Sequence, residues 1–341
     1  MVRVGVNGFG TIGRRVAQAV TLQPDMELVG VVKTRPDYAA LQAAKAGIRI
    51  YAPSSESLEA FEKAGIRVEG TVEDLLSRVD VIVDATPNGV GEKYKPLYRD
   101  AGVRQVFQGG EKPSVADASF NTLCNYREVL GLDSVRVVSC NTTGLLRLIC
   151  TINRGIGVSS VSAVLIRRAA DPREVKRGPV NSINLNPPTV PSHHALDVKT
   201  VVPGIDIVTS AVVVPTTLMH VHHVTITLKR DSSRREVLSL LEEAPRIILI
   251  DSGRTGIKST AQLMDAVRFM RRNGDLPELA VFTDSIHVEG RRLMLFQAVH
   301  QESIVVPENI DAIRALARLT EDPMESIRVT DETLGLTKEI F

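Results

Sequence analysis

Val4-Gly5-Val6-Asn7-Gly8-Phe9-Gly10-Thr11-Ile12-Gly13-Arg14 joins an apolar run to a helical pattern through three glycines in the spacing G-x-G-x-x-G. Gly8 permits the tight turn, Gly10 lets the backbone approach a pyrophosphate, and Gly13 lets helix pack on strand. The helix opening at Thr11 and Ile12 offers free N–H groups and a positive dipole end to phosphates. Three such glycines can also be purely structural. Here they lie between a strand at Val2–Asn7 and a helix at Thr11–Thr21, with a second strand at Leu28–Lys33, and that context predicts a dinucleotide site.

Outward from this turn, short β-branched runs alternate with helical patterns, as a parallel sheet requires. Strands are expected near Arg49 and Ile50, and at Val79–Ala85, Arg104–Gln108 and Arg136–Ser139. Helices are expected at Asp37–Ala46, Ser55–Ala64 and Thr71–Leu76. Residues 1–139 are therefore read as an α/β Rossmann cofactor domain. From about residue 155 the rhythm changes to longer strands with polar breaks, at Val158–Arg167, Asp206–Val214 and His220–Leu228. Residues 140–300 are read as an α+β catalytic domain with a mainly antiparallel sheet. Helices are expected at Ser232–Ala244 and Ser259–Asn273, and strands at Ala280–Glu289 and Arg291–Ala298. Residues 301–341, with a helix at Glu308–Leu319, are expected to return to the cofactor domain. A long loop rich in Pro, Asn and His, Arg173–Pro203, is expected to be functional.

Composition narrows the function classes. The 341 residues are 43% hydrophobic and 24% charged with a net charge of +1, the balance of an ordinary globular protein. No basic stripe points to nucleic acid or membrane, and with no Trp and 4% aromatics a base-stacking surface is not expected. The N-terminus has no signal-peptide pattern and no apolar run reaches the roughly 20 residues of a membrane span, so a cytoplasmic protein is expected. The cysteines, Cys124, Cys140 and Cys150, fit neither a disulfide framework nor a metal site. A pairing of Cys124 with Cys150 stays open.

The end of the second strand bears on cofactor choice. NAD-selective sites place an acidic residue there for the ribose hydroxyl, whereas this chain has Lys33-Thr34-Arg35. Two cations and a hydroxyl suit a 2′-phosphate, so NADP is favoured with NAD also accepted.

Val135-Arg136-Val137-Val138-Ser139-Cys140-Asn141-Thr142-Thr143-Gly144 runs from strand into helix and puts Cys140 at a helix N-terminus, where the dipole lowers a thiol pKa. A nucleophilic thiol needs a base. On the strand containing His220-Val221-His222-His223, His220 and His222 share a face; His220 is preferred, with His222 as the alternative. Arg167-Arg168 and Ser192-His193-His194 offer a fork and donors suited to phosphate, with Arg168 the preferred fork.

These motifs, with Leu218-Met219-His220, resemble glyceraldehyde-3-phosphate dehydrogenases of the archaeal branch over essentially the whole chain and in the same order. The resemblance implies that Cys140 is the nucleophile and that His220 activates it. It implies cofactor contacts at Thr11, Ile12, Gly110, Arg168 and Gln301, which leaves Arg168 with two candidate roles. It implies substrate contacts at Ser139, Cys140, Asn141, His194 and Ala195, and a homotetramer. Asn141, where the bacterial and eukaryotic branch has Thr, and the missing acidic residue after the second strand both fit the archaeal branch. The implied reaction is phosphorylating oxidation of glyceraldehyde 3-phosphate with NADP or NAD and inorganic phosphate, in glycolysis or gluconeogenesis. Rival readings are a semialdehyde dehydrogenase or acyl-phosphate reductase of the same architecture, a non-covalent hydride-transfer enzyme, and a non-catalytic dinucleotide sensor.

Overall fold

The computed structural model describes residues 1–108, 110–170 and 181–340. The chain forms two units: Met1–Ser139 with Val306–Leu334, and Cys140–Val305 with Gly335–Phe341.

In the first unit, seven strands make one parallel sheet: β1 (Val2–Asn7), β2 (Met26–Val32), β3 (Ile50–Tyr51), β4 (Val81–Asp84), β5 (Arg104–Gln108), β6 (Ala118–Phe120) and β7 (Ser134–Val137). Their order is β3-β2-β1-β4-β5-β7-β6. The chain winds outward one way from β1 and the other way from β4, so the switch point lies where ligands bind in such sheets. Val4, Val6, Val31, Val81, Ile82 and Phe107 are buried, as near-continuous apolar strands demand when helices cover both faces. The intervening helices are α1 (Thr11–Thr21), α2 (Tyr38–Lys45), α3 (Leu58–Lys63), α4 (Val72–Leu76), α5 (Gly91–Asp100) and α6 (Thr122–Asn125). α5 was not expected, and Pro96 inside it weakens its pattern.

The second unit opens with α7 (Cys140–Gly155) and holds eight strands: β8 (Val158–Arg168), β9 (Asn184–Leu185), β10 (Ile207–Val214), β11 (His220–Leu228), β12 (Ile247–Ile250), β13 (Leu279–Phe282), β14 (His287–Glu289) and β15 (Arg292–Val299). The order is β12-β13-β15-β11-β8-β10-β9, with β14 pairing β15. The sheet is mainly antiparallel, as expected, but β8 pairs β10 and β12 pairs β13 in parallel. The helices α8 (His193–Lys199), α9 (Arg234–Glu243), α10 (Ser252–Thr255) and α11 (Thr260–Met270) complete this unit. Two expectations are corrected. Ala280–Glu289 is not one strand: a 3-10 turn at Thr283–Ser285 divides it, where the Asp284 carboxylate accepts from the Ser252 N–H. The long segment 173–203 is not all loop, since β9 and α8 lie within it; its first eight residues, 173–180, lie outside the described residues.

The last helices, α12 (Val306–Leu316) and α13 (Pro323–Leu334), belong to the first unit. Arg314, 1% exposed, donates from Nε to Asp25 at 2.7 Å and from Nη2 to Gln23 at 2.6 Å. Asp311 accepts from Ser326 and Thr330. Arg314 is buried while Asp25 is partly exposed, and the pair, with the bonds to Gln23 and Thr330, ties the C-terminal helices to the turn between α1 and β2. Within the second unit, Gly144 brings α7 onto β15: a Cβ there would lie 2.6 Å from Val299. That close approach sets Asn141, one turn earlier, beside the inward residues of β11 and β15.

Candidate active site

The β1–α1 turn carries the three expected glycines, with Gly8 and Gly13 in close packing contacts and Gly10 in open space. Gly8 has φ +96°, and a Cβ on it would lie 2.7 Å from the Ala85 backbone. A Cβ on Gly13 would lie 1.8 Å from the Gly8 carbonyl, whereas a Cβ on Gly10 would meet nothing within 4 Å. Two glycines are thus required by packing, and the third faces open space. No side chain caps the N-terminus of α1, where Thr11 and Ile12 are half-buried. This cradle fits a dinucleotide pyrophosphate.

Around it, Tyr98 donates to Asp84 and Asn7 donates to Tyr98, each at 2.6 Å, tying together the C-terminal ends of β1 and β4. Burial pushes the Asp84 carboxyl up, against hydrogen bonds from Thr86 and Tyr98. Glu111 accepts from the Gly89 and Gly91 N–H groups, and Gly110 is exposed next to it. At the end of β2, Lys33 is not free for a 2′-phosphate as it stands. Its Nζ donates to Asp37 at 2.7 Å, while Thr34 and Arg35 are exposed.

The second unit gathers most of the remaining candidates. Cys140 begins α7, is half-buried and is the free cysteine among the described residues. The expectation of a lowered thiol pKa is corrected. Burial pushes the Cys140 thiol up, and the opposing pull of Arg167, Arg168 and the backbone N–H groups of Asn141 and Cys140 does not cancel it. Ser139, half-buried, precedes it at the end of the first unit.

His220 and His222 point to the buried face of β11, as their spacing predicts. The backbone N–H of Arg168 donates to His220 Nδ1 at 3.0 Å. Burial, then the nearby Arg168 and Arg167, hold this imidazole well below its ordinary pKa. A neutral ring accepting at Nδ1 carries its proton on Nε2. In this arrangement His220 is a donor at Nε2, so the expected transfer of the thiol proton to that nitrogen does not fit. His222 has both ring nitrogens engaged: Nε2 with Asn141 Oδ1 at 2.9 Å and Nδ1 with Gln297 Nε2 at 3.0 Å.

The two arginines have different partners. The Arg168 guanidinium lies 3.8 Å from Glu302, donates to the Ala170 carbonyl at 3.0 Å and, with the Gln301 amide oxygen turned toward it, to Gln301 at 2.7 Å. Among the described residues Arg167 makes one bond, to Asn186 at 3.3 Å, and its buried Nε has no partner. It has no carboxylate partner among the described residues, yet its charge bears on Cys140, His193, His194, His220 and His222.

His193 is exposed, with its ring centroid 3.9 Å from that of the buried His194. Burial first, then His193 and Arg167, push His194 down to about 2, so it is neutral at physiological pH. The Ala195 N–H is already spent on Thr209 Oγ1 at 3.1 Å. Sequence reasoning missed Gln297, Thr209 and Glu302. Only the pairing of His222 with Gln297 across β11 and β15 reveals the first of them.

Comparison with known proteins follows the same division. Residues 139–267 match the model described as glyceraldehyde 3-phosphate dehydrogenase, C-terminal domain, and residues 2–109 match that of dihydrodipicolinate reductase, N-terminus. The chain is 66% identical to a glyceraldehyde-3-phosphate dehydrogenase of Aeropyrum pernix, over 100% of this chain and 99% of the relative. It is 61% identical to one from Hyperthermus butylicus and 56% identical to one from Sulfurisphaera tokodaii, each over 99% of this chain and 98% of the relative. Identity at this level over the full length, on a parallel dinucleotide-type sheet joined to a mixed sheet bearing a free cysteine at a helix start, places the chain in the glyceraldehyde-3-phosphate dehydrogenase family.

Proposed function

We propose that this protein oxidises glyceraldehyde 3-phosphate to 1,3-bisphosphoglycerate, reversibly, through a thioester on Cys140. The observation that carries the reading is Cys140 at the start of α7, under the charge of Arg167 and Arg168, with the Arg168 backbone N–H bonded to His220. Gly8, Gly10, Thr11, Ile12 and Gly13 would hold the dinucleotide pyrophosphate. Lys33 and Thr34 would meet a 2′-phosphate, with Gly110, Arg168 and Gln301 further contacts on family likeness. When bound, the nicotinamide supplies the acceptor for the hydride that leaves the substrate carbon. NADP is the preferred form, with NAD accepted.

Cys140 loses its proton to solvent, and the thiolate attacks the aldehyde carbon, forming a C–S bond and an oxyanion. The His220 Nε2–H and the Cys140 backbone N–H donate to that oxyanion; such donors are worth about 10²–10³ in rate each. Arg167 and His193 hold the substrate phosphate, and Ser139, Asn141, His194 and Ala195 line the rest of the aldehyde site. Inorganic phosphate then attacks the thioester carbonyl, the C–S bond breaks, and the Cys140 thiolate leaves. Covalent capture keeps the oxidation energy in an acyl phosphate instead of losing it as a carboxylate.

A homotetramer is proposed on family likeness, and the exposed Leu185, Val190 and Leu196 around β9 and α8 support an association surface. A cytoplasmic setting is proposed with it; among the described residues no helix is long and apolar enough to cross a membrane. Mass spectrometry of the protein mixed with aldehyde and dinucleotide, without phosphate, tests the covalent step. One acyl adduct on the Cys140 peptide is expected; turnover with no adduct there, or an adduct elsewhere, contradicts it.

A further inference from the structure

Six side chains in the second unit form a single hydrogen-bonded line, of which the chemistry above uses only Asn141 and His194, as lining of the aldehyde site. Gln297 Nε2 meets His222 Nδ1 at 3.0 Å, and His222 Nε2 meets Asn141 Oδ1 at 2.9 Å. Asn141 Nδ2 meets His194 Nε2 at 3.5 Å, and His194 Nδ1 meets Ser192 Oγ at 3.1 Å. Ser192 Oγ meets Thr209 Oγ1 at 2.7 Å, and Thr209 Oγ1 reaches the Ser192 carbonyl at 3.2 Å. Each of the six is at most 2% exposed.

The direction of this line follows from its far end. A carbonyl only accepts, so the Thr209 hydroxyl donates to the Ser192 backbone and must accept from Ser192 Oγ. Ser192, its own hydrogen spent, accepts from His194 Nδ1. A neutral imidazole has one N–H, so His194 Nε2 is bare and takes its bond from the Asn141 amide nitrogen. The Asn141 oxygen then faces His222, which must donate from Nε2 and accept at Nδ1 from Gln297. The amide orientations of Asn141 and Gln297 agree with this order at every step. Burial and the charge of Arg167 hold His194 and His222 neutral, so neither ring has a second proton that could reverse a bond.

The line determines which group of the amide of Asn141, the residue after Cys140, is left unspent. Its oxygen is consumed by His222. Its amide nitrogen has two hydrogens and makes only the long contact to His194, so one N–H lacks a partner among the described residues although Asn141 is 2% exposed. A buried, unspent donor next to the nucleophile suits an oxygen that gains negative charge. We infer that His222 and Gln297 are positioning residues that lock the Asn141 amide nitrogen, not its oxygen, toward the substrate oxygen at Cys140. A flipped amide would present a lone pair to a developing oxyanion and repel it.

The kinetic part of this inference rests on Cys140 as nucleophile; the tautomers do not. NMR of ¹⁵N-histidine-labelled full-length protein, without substrate, reads them directly. The expected result between about pH 6 and 8, where a free imidazole titrates, is two non-titrating rings: His222 protonated at Nε2 and His194 at Nδ1. The opposite tautomer at either ring, or an imidazolium in that range, overturns the inference whatever the enzyme's substrate. Steady-state kinetics then separate positioning from packing. His222→Leu removes the donor at similar bulk and is expected to lower kcat about 10–100-fold, the scale of a misplaced catalytic group, with KM within about threefold. His222→Gln, whose amide N–H can still reach Asn141, is expected to recover at least about tenfold of that loss. A loss shared equally by both variants, or confined to KM, overturns the positioning role.

Discussion

The backbone N–H of Arg168 donates to Nδ1 of His220, and this bond decides which proton His220 carries. The guanidinium of the same residue is fastened to Glu302, Gln301 and the Ala170 carbonyl, which holds the end of β8 where that N–H is needed. His220 thereby carries its proton on Nε2. Replacing His220 with Ala should lower kcat about 10²–10³-fold, the usual cost of one oxyanion donor. KM for the aldehyde should change little. A loss appearing mainly in KM would assign His220 to ground-state binding.

Among the described residues Arg167 has no carboxylate partner. Arg167→Gln should raise KM for the phosphorylated aldehyde by roughly 10–100-fold, the worth of one charge-assisted hydrogen bond. The same change should move the pH dependence of Cys140 alkylation upward, because Arg167 favours the thiolate and its removal leaves burial less opposed. Alkylation rates across pH, for wild type and variant without substrate, check this. An unchanged inflection would mean that Arg167 does not act on the thiol.

The glycine turn separates packing from binding. Gly13→Ala drives a Cβ to 1.8 Å from the Gly8 carbonyl and should destabilise the first unit by several kcal/mol. Gly10→Ala has room, with φ −91° suited to alanine. It should leave the melting temperature within about 2 °C, as for a surface change of under 0.5 kcal/mol. Dinucleotide affinity should nevertheless fall about tenfold or more, because the methyl enters the space that the pyrophosphate needs. Calorimetric titration with NADP decides it, and full affinity in Gly10→Ala would remove the pyrophosphate from this turn.

Lys33 and Asp37 set the terms for the 2′-phosphate. Asp37 also caps α2 by accepting from the Ala39 and Ala40 N–H groups, and Asn retains that acceptor. Asp37→Asn should therefore free Lys33 with little loss of fold, lowering KM for NADP relative to NAD by about three- to tenfold. A ratio that stays put would show that Lys33 does not meet the cofactor.

What could be read from the chain without a structure was what is local. Gly8, Gly10 and Gly13 announce their turn within six residues, and His220 and His222 share a face because a strand repeats every two. What could not be read depends on pairing across the fold. Nothing near Gln297 in the chain says that it faces His222, because that follows from the register of β11 on β15. Arg167 and Arg168 look alike in sequence; only the position of Glu302 separates them. The expected low thiol pKa failed because the helix-start argument omits the desolvation that a half-buried sulfur meets. α13 went unread because its buried residues, Ser326, Ile327 and Thr330, include only one strong apolar marker.

The covalent account is tested most directly by following dinucleotide reduction with glyceraldehyde 3-phosphate, with and without inorganic phosphate, for wild type and Cys140→Ser. Sustained NADPH formation that requires phosphate and vanishes in the variant is the predicted result. Reduction that proceeds equally without phosphate, or that survives in Cys140→Ser, would contradict a thioester on Cys140.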